Sequence, residues 1–463
     1  MNDLVEYILD RAISYGASYA DVRIEQIYTT QIVVTNDRIE RVNVGVRRGM
    51  GLRVLADGAY SFVSASSLDK DLLDRLARSC VKSAKLSSLF KREKIQLAEV
   101  KCVRDDLVVP STEKPHVVDL DFKKNIALEV SKFARAFDSR IVNSTVRLLD
   151  EYREKIIATS EGTLIRYVTP RTRIFLIVTA FEAGHISSHM DGESFVSGYE
   201  AYRKFDLEGW AKRISEKAVK MLKAEPAPSG RFTVIADPDL TGVFTHEAVG
   251  HACEGDGIVA KESILTNMLG ERIGSELVTI YDDSTYPNGW GSLKYDDEGV
   301  PTEKRLLIDE GILVGYINDR YTAFKLGMKP NGGARAQDYM HPPIVRMSNT
   351  YMAPGDWSFE EMVSEIKYGV YLLGSRGGQV DTAKGTFQFN AKEAYLIENG
   401  EITKPLLDVS LSGLTLETLK NIDAVGKDFK LRSGTCGKGG QGVPAGTGGP
   451  HVRIVNAVVG GRR

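Results

Sequence analysis

Arg231-Phe232-Thr233-Val234-Ile235-Ala236-Asp237-Pro238, read on to His246-Glu247-Ala248-Val249-Gly250-His251, organises the second half of this chain. The first residues alternate as a strand. Asp237 caps, and Pro238 opens a helix at the first position, where its missing N–H is not needed. That helix ends in two imidazoles and a carboxylate. Neutral imidazole is the commonest metal-ligand side chain, and a neighbouring carboxylate can deprotonate a water on the metal. The zinc-protease pattern H-E-x-x-H sets its histidines four apart on one helix face; here they are five apart. At about 100° per residue, His246 and His251 would diverge by about 140° on a regular helix. That is too wide for one ion about 2 Å from each nitrogen. The spacing therefore predicts a local π-bulge, with Gly250 permitting it.

Two histidines leave a catalytic zinc site one protein ligand short. Cys436 is a candidate for the third: a thiolate binds zinc strongly, and Gly434 and Gly437 let backbone approach. Cys253 and Glu254 are rivals close in sequence, but they point to other faces of a continuing helix.

Outward from this run, Glu225-Pro226-Ala227-Pro228-Ser229-Gly230 stops any helix. It divides the chain into an N-terminal α+β domain (1–225) and a C-terminal β-rich domain (231–463). The expected class is α+β: a first half of mixed strands and helices, then a mainly antiparallel β half carrying the metal-binding helix. In the first half, helices are expected near 1–13, 69–81, 122–137 and 206–224, with strands over 21–64 and 141–202 and an irregular segment over 89–115. Asp21-Val22-Arg23-Ile24 with Gln31-Ile32-Val33-Val34-Thr35 is echoed by Thr145-Val146-Arg147-Leu148 with Lys155-Ile156-Ile157-Ala158-Thr159. This is either a duplication or shared β-composition. In the second half, hairpin strands are expected at 276–281, 305–308, 312–318 and 394–398, with a helix at 358–368.

The composition is ordinary: 463 residues, 42% apolar, 26% charged, net charge −2. With no basic stripe, nothing calls for nucleic acid; no apolar run reaches the ~18 residues of a membrane span. Acidic residues in the first helix argue against a signal peptide. Four scattered cysteines make no disulfide framework. A cytoplasmic protein is expected. Asp296-Asp297-Glu298 lacks the spacing of a calcium loop and reads as a solvated turn. Arg335, His341 and Arg346, in a Gly/Pro-bounded loop, are candidates for binding a peptide carboxylate or stabilising an oxyanion.

Further runs follow in order: Ala252-Cys253-Glu254-Gly255-Asp256, Asp296-Asp297-Glu298-Gly299-Val300-Pro301, Asn349-Thr350-Tyr351-Met352, Gly377-Gly378-Gln379-Val380-Asp381, Ala394-Tyr395-Leu396-Ile397-Glu398-Asn399-Gly400 and Thr435-Cys436-Gly437-Lys438-Gly439-Gly440-Gln441. With the His-Glu run they resemble the TldD/PmbA (TldD/TldE) family of metalloproteases, and the intact motif resembles its catalytic TldD type. The resemblance implies one zinc held by His246, His251 and Cys436, with Glu247 as general base. It implies cleavage of short or unfolded peptides, and a homodimer or a heterodimer with a PmbA/TldE-like sister subunit. The family has also been described as a modulator of DNA gyrase, so a non-catalytic regulator is the alternative. Cys253 is expected to pack as a small buried hydrophobe.

Overall fold

The computed structural model describes residues 2–461. The first half contains α1 (Asn2–Ser14), β1 (Tyr19–Thr35), β2 (Arg38–Ala56), β3 (Ala59–Ala65), α2 (Lys70–Ser88), β4 (Arg104–Val108), α3 (Leu120–Ala136), β5 (Ile141–Thr159), β6 (Leu164–Glu182), β7 (His185–Phe195) and α4 (Leu207–Lys220). Asp69, Asp119 and Asp206 cap α2, α3 and α4 by accepting backbone N–H groups.

These strands form one seven-stranded sheet with β1 and β5 paired at its middle. The faint echo is a repeat in architecture: helix, three strands, helix occurs twice, as α1-β1-β2-β3-α2 and α3-β5-β6-β7-α4. The two long strands that carry it pair antiparallel, Val22 opposite Ala158 and Val34 opposite Val146. Each unit buries its own helices. Ile8, Leu73 and Cys80 pack under β1–β3, while Ile126, Val130 and Trp210 pack under β5–β7. The segment expected to be irregular supplies β4, which pairs parallel to β6.

In the second half the strand Gly230–Ala236 lies inside a ten-stranded sheet, between Val452–Gly460 and Tyr368–Leu373. Gly378–Asp381 is at one edge of that sheet. A six-stranded sheet packs nearby, and Lys430–Lys438 is its edge. One large core joins the two sheets around the helix that follows Asp237. The strand expected at 312–318 shortens to Ile312–Leu313. Beyond it the backbone leaves the ladder and Ile317 pairs with the end of the metal-motif helix, donating to the Cys253 carbonyl and accepting from Gly255 N–H. The helix expected at 358–368 is Phe359–Ser364, with a Ser358/Glu361 capping box. Among the described residues no helix is long and apolar enough to cross a membrane.

The reading of Asp296-Asp297-Glu298 as a solvated turn is corrected. All three side chains are buried, at the junction of the two halves. Asp296 accepts the backbone N–H groups of Glu298, Val300 and Ala334. Asp297 meets Lys155 of β5 at 2.7 Å, and Glu298 meets Arg53 of β2 at 2.8 Å. Arg53 also holds Asp21 at 2.7 Å. Acidic spacing read along the chain could not anticipate this, because every cationic partner comes from the other half. Replacing one member of a buried ion pair strands its partner in low dielectric. Arg53→Met, which strands both Asp21 and Glu298, is expected to lower the unfolding free energy by about 3–5 kcal/mol in urea titration. A loss below about 1 kcal/mol would show that these charges do not hold the junction.

Candidate metal centre

The helix that begins at Pro238 is regular only to Phe244. From Thr245 to Gly250 it is a π-helix, and His251 N–H donates to the carbonyl of His246, five residues back. The chain then tightens into a 3₁₀ turn over His251–Cys253. The widened turn carries residues five apart to one face, as the spacing predicts.

Gly250 serves this turn for a different reason from the one expected. Its φ and ψ, −57° and −51°, are ordinary helical values open to any residue. A Cβ there would sit 2.1 Å from Met347 Sδ and 3.3 Å from a methyl of Thr350. Close packing against Met347 and Thr350, not backbone freedom, favours glycine.

Ligand atoms of His246, His251 and Cys436 lie within 4.8 Å of one another. Cys436 Sγ is 3.5 Å from His251 Nε2, and the imidazole planes of the two histidines are nearly perpendicular, at 83°. His246 and Cys436 are buried, and His246 Nδ1 has no hydrogen-bond partner. Burial alone would push the Cys436 thiol up; the neighbouring imidazoles, His246 foremost, outweigh it and bring the thiol down to about 5. A thiolate and two imidazoles meeting at one point are a donor set that fits zinc.

The rival ligands take other roles. Cys253 is fully buried in the core, and burial pushes its thiol well up. Glu254 stands behind His251, its Oε2 2.9 Å from Nδ1. This leaves Nε2 toward Cys436, the usual arrangement in which a carboxylate fixes the ring and tautomer of a metal-binding histidine. Lys438 Nζ, 3.0 Å from Glu254 and 2.7 Å from Asp256, keeps that carboxylate charged. Burial opposes this, but His251 and Lys438 together hold Glu254 below the usual range. Glu254 lies three residues after His251, about one helical turn, which is the signal for a second-layer partner. Nothing in the sequence marks Lys438 beyond its alternation with Cys436.

Glu247 projects from the same π-turn, its side chain 39% exposed and Oε2 3.8 Å from His251 Nε2. It lines two recesses at once. One, of about 340 Å³, also has His246, Cys436, Arg173 and Gly378 in its wall. The other, of about 510 Å³, has His251, Val380, Gly437 and Lys438. The edge strands Gly378–Asp381 and Lys430–Lys438 therefore flank one groove, with Glu247 between its two parts. The first half closes one side through Arg173, Phe175 and Asp191.

The candidates Arg335, His341 and Arg346 do not enter this groove. Arg335 and Arg346 are buried, with their guanidinium groups committed to backbone carbonyls. Arg335 donates to Met347 and, at 2.7 Å, to Pro444. Arg346 donates to Gln441 at 3.2 Å and to the Cys436 carbonyl. His341 Nδ1 is 2.7 Å from Asp338. The structure places all three away from the groove, and Arg346 fixes the backbone that presents Cys436.

Three family models match in order: PmbA/TldA metallopeptidase domain 1 at residues 20–84, its central domain at 113–222 and its C-terminal domain at 229–461. The chain belongs to the PmbA/TldA (TldD/PmbA) metallopeptidase family. It is 44% identical to a metalloprotease of Methanothermobacter thermautotrophicus, over 96% of this chain and 95% of that one. It is 31% identical to a zinc metalloprotease TldD homolog of Saccharolobus solfataricus, over 98% and 99% of the two chains. The solved structure of TldE from Thermococcus kodakarensis shares the fold, with a TM-score of 0.79 and 19% identity over 99% of this chain and 100% of that one. The protein is thus a metallopeptidase of TldD type.

Glu254→Gln keeps the shape of the second layer but removes its charge. It is expected to weaken zinc binding about 10–100-fold in competition with a chelator of known affinity. An unchanged affinity would leave Glu254 with no part in the centre.

Proposed function

We propose that this metallopeptidase hydrolyses short or unfolded peptides held extended in the groove between Gly378–Asp381 and Lys430–Lys438. His246, His251 and Cys436 would hold one zinc ion per chain, which would supply Lewis acidity toward a water and the scissile carbonyl. Glu247 accepts the proton of the attacking water and delivers it to the leaving nitrogen. The observation that carries this reading is the meeting of two imidazoles and a thiolate within 4.8 Å, beside a carboxylate that faces both recesses.

The two edge strands explain why such a site would tolerate many sequences. An unpaired strand edge offers N–H and C=O groups to any extended backbone, so main-chain hydrogen bonds carry the affinity. Glycines at 377 and 378 and around Cys436 keep side chains out of the way. The enzyme acts in the cytoplasm, as a homodimer or with a PmbA/TldE-like sister subunit. The alternative of a non-catalytic regulator gives no work to a His–His–Cys triad opening on a groove.

Glu247→Gln is expected to retain zinc and to lose about 10²–10⁴-fold in peptide hydrolysis, read with an unstructured fluorogenic peptide. Cleavage at the wild-type rate by this variant would remove Glu247 as the base.

A further inference from the structure

Between β5 and β6 of the first half and the hairpin that carries Cys436 lies a cavity of about 80 Å³, apart from the peptide groove. Its wall contains four cations, Arg153, Lys155, Arg171 and Arg335. Two of them are matched. Arg153 donates twice to Glu151, at 3.0 and 3.1 Å, and Lys155 lies 2.7 Å from Asp297.

Among the described residues, the other two have no carboxylate of their own. Arg171 Nε is buried without a hydrogen-bond partner, and the nearest carboxylate oxygen, on the Glu151 already held by Arg153, is 3.9 Å from its Nη1. Arg335 is 6% exposed, and its guanidinium donates only to the neutral carbonyls of Met347 and Pro444. Burial pulls both groups down to about 10, and at Arg335 the adjacent charges of Arg346 and Arg171 add to the effect. A charge held out of water without a counter-charge of its own is costly, and the cavity that gathers the buried Arg335 and the half-buried Arg171 has room for a group the size of about two or three waters.

We propose that this cavity binds a small tetrahedral oxyanion, inorganic phosphate or a phosphoryl group, held jointly by Arg171 and Arg335. The planar guanidinium fork matches the oxygens of such an anion and forms strong charge-assisted hydrogen bonds with them. The site backs onto the metal centre: Val443 and Pro444 in its wall pair across the hairpin with Cys436 and Thr435. An anion there neutralises the charge behind the strand that presents the thiolate.

The test is a titration of the full-length, zinc-loaded protein with sodium phosphate, against sodium chloride at equal ionic strength. Trp290 reports locally, since its ring lies 5.6 Å from the Arg171 guanidinium carbon; melting temperature is the second readout. Phosphate is expected to give a saturable fluorescence change and a rise in melting temperature that chloride does not. Arg171→Met, which breaks no hydrogen bond of the fold, is expected to raise the midpoint about tenfold or more, and Arg335→Met to do the same. Should Arg335→Met fail to fold, Arg171→Met decides alone. Exposed Arg147→Met is expected to change nothing. Tighter binding of phosphate than of methyl phosphate identifies the free ion, and the reverse identifies the phosphoryl end of a larger molecule; both support the site. A response no greater than that to chloride, an unchanged midpoint in Arg171→Met, or tighter binding of acetate than of phosphate would overturn it.

Discussion

The hydrogen bond from His251 N–H to the His246 carbonyl sets the register on which the centre depends. In an α-helical register the two imidazoles would point about 140° apart and no ion could join them. Widening one turn converts an awkward spacing into a pair of converging ligands. The turn is then held from outside. Met347 packs against Gly250 so closely that a methyl group would collide, and Glu254 fixes the far side of the His251 ring. Arg346 performs the corresponding task for the third ligand by binding the carbonyl of Cys436. Glu254 and Arg346 thus position the His251 ring and the Cys436 backbone from behind.

The second constraint is the junction of the two halves. The first half folds as two similar units around the β1–β5 pair, each with its own core, and carries no member of the triad. It does shape the groove: Arg432 on the Cys436 strand reaches Glu193 of β7 at 3.0 Å and Asp239 at 2.9 Å, so one side chain ties the first half, the metal-motif helix and the ligand strand together. At the opposite side of the junction, Arg53 and Lys155 pair with Glu298 and Asp297 in a buried contact. Such contacts specify one relative placement, because sliding either half would leave charges unpaired in low dielectric.

Much of this was legible in the sequence where local rules apply. Caps at Asp69 and Asp237, the proline start at Pro238, the amphipathic helices and the need for a π-turn all follow from spacing along a few residues. The echo at 21–35 and 145–159 was legible as a pattern, and it falls on β1 and β5, the first strands of the two similar units. What could not be read is what depends on partners distant in sequence. Asp296-Asp297-Glu298 looks like a solvated turn until Arg53 and Lys155 arrive from more than a hundred residues away. Arg346 looks like a free cation until the carbonyls of Gln441 and Cys436 occupy it. Gly250 looks like a source of backbone freedom for the π-turn until Met347 is seen against it. The strand expected at 312–318 failed for a similar reason, because its backbone is claimed by the end of the metal-motif helix.

The measurement that bears most directly on this account is the zinc content of purified wild-type protein beside His251→Ala and Cys436→Ser. The account requires about one zinc per chain in the wild type and its loss from both variants, with the fold retained by circular dichroism. A full equivalent of zinc remaining in folded Cys436→Ser would contradict it, since the ion would then be held without the thiolate that the π-turn and Arg346 bring into place.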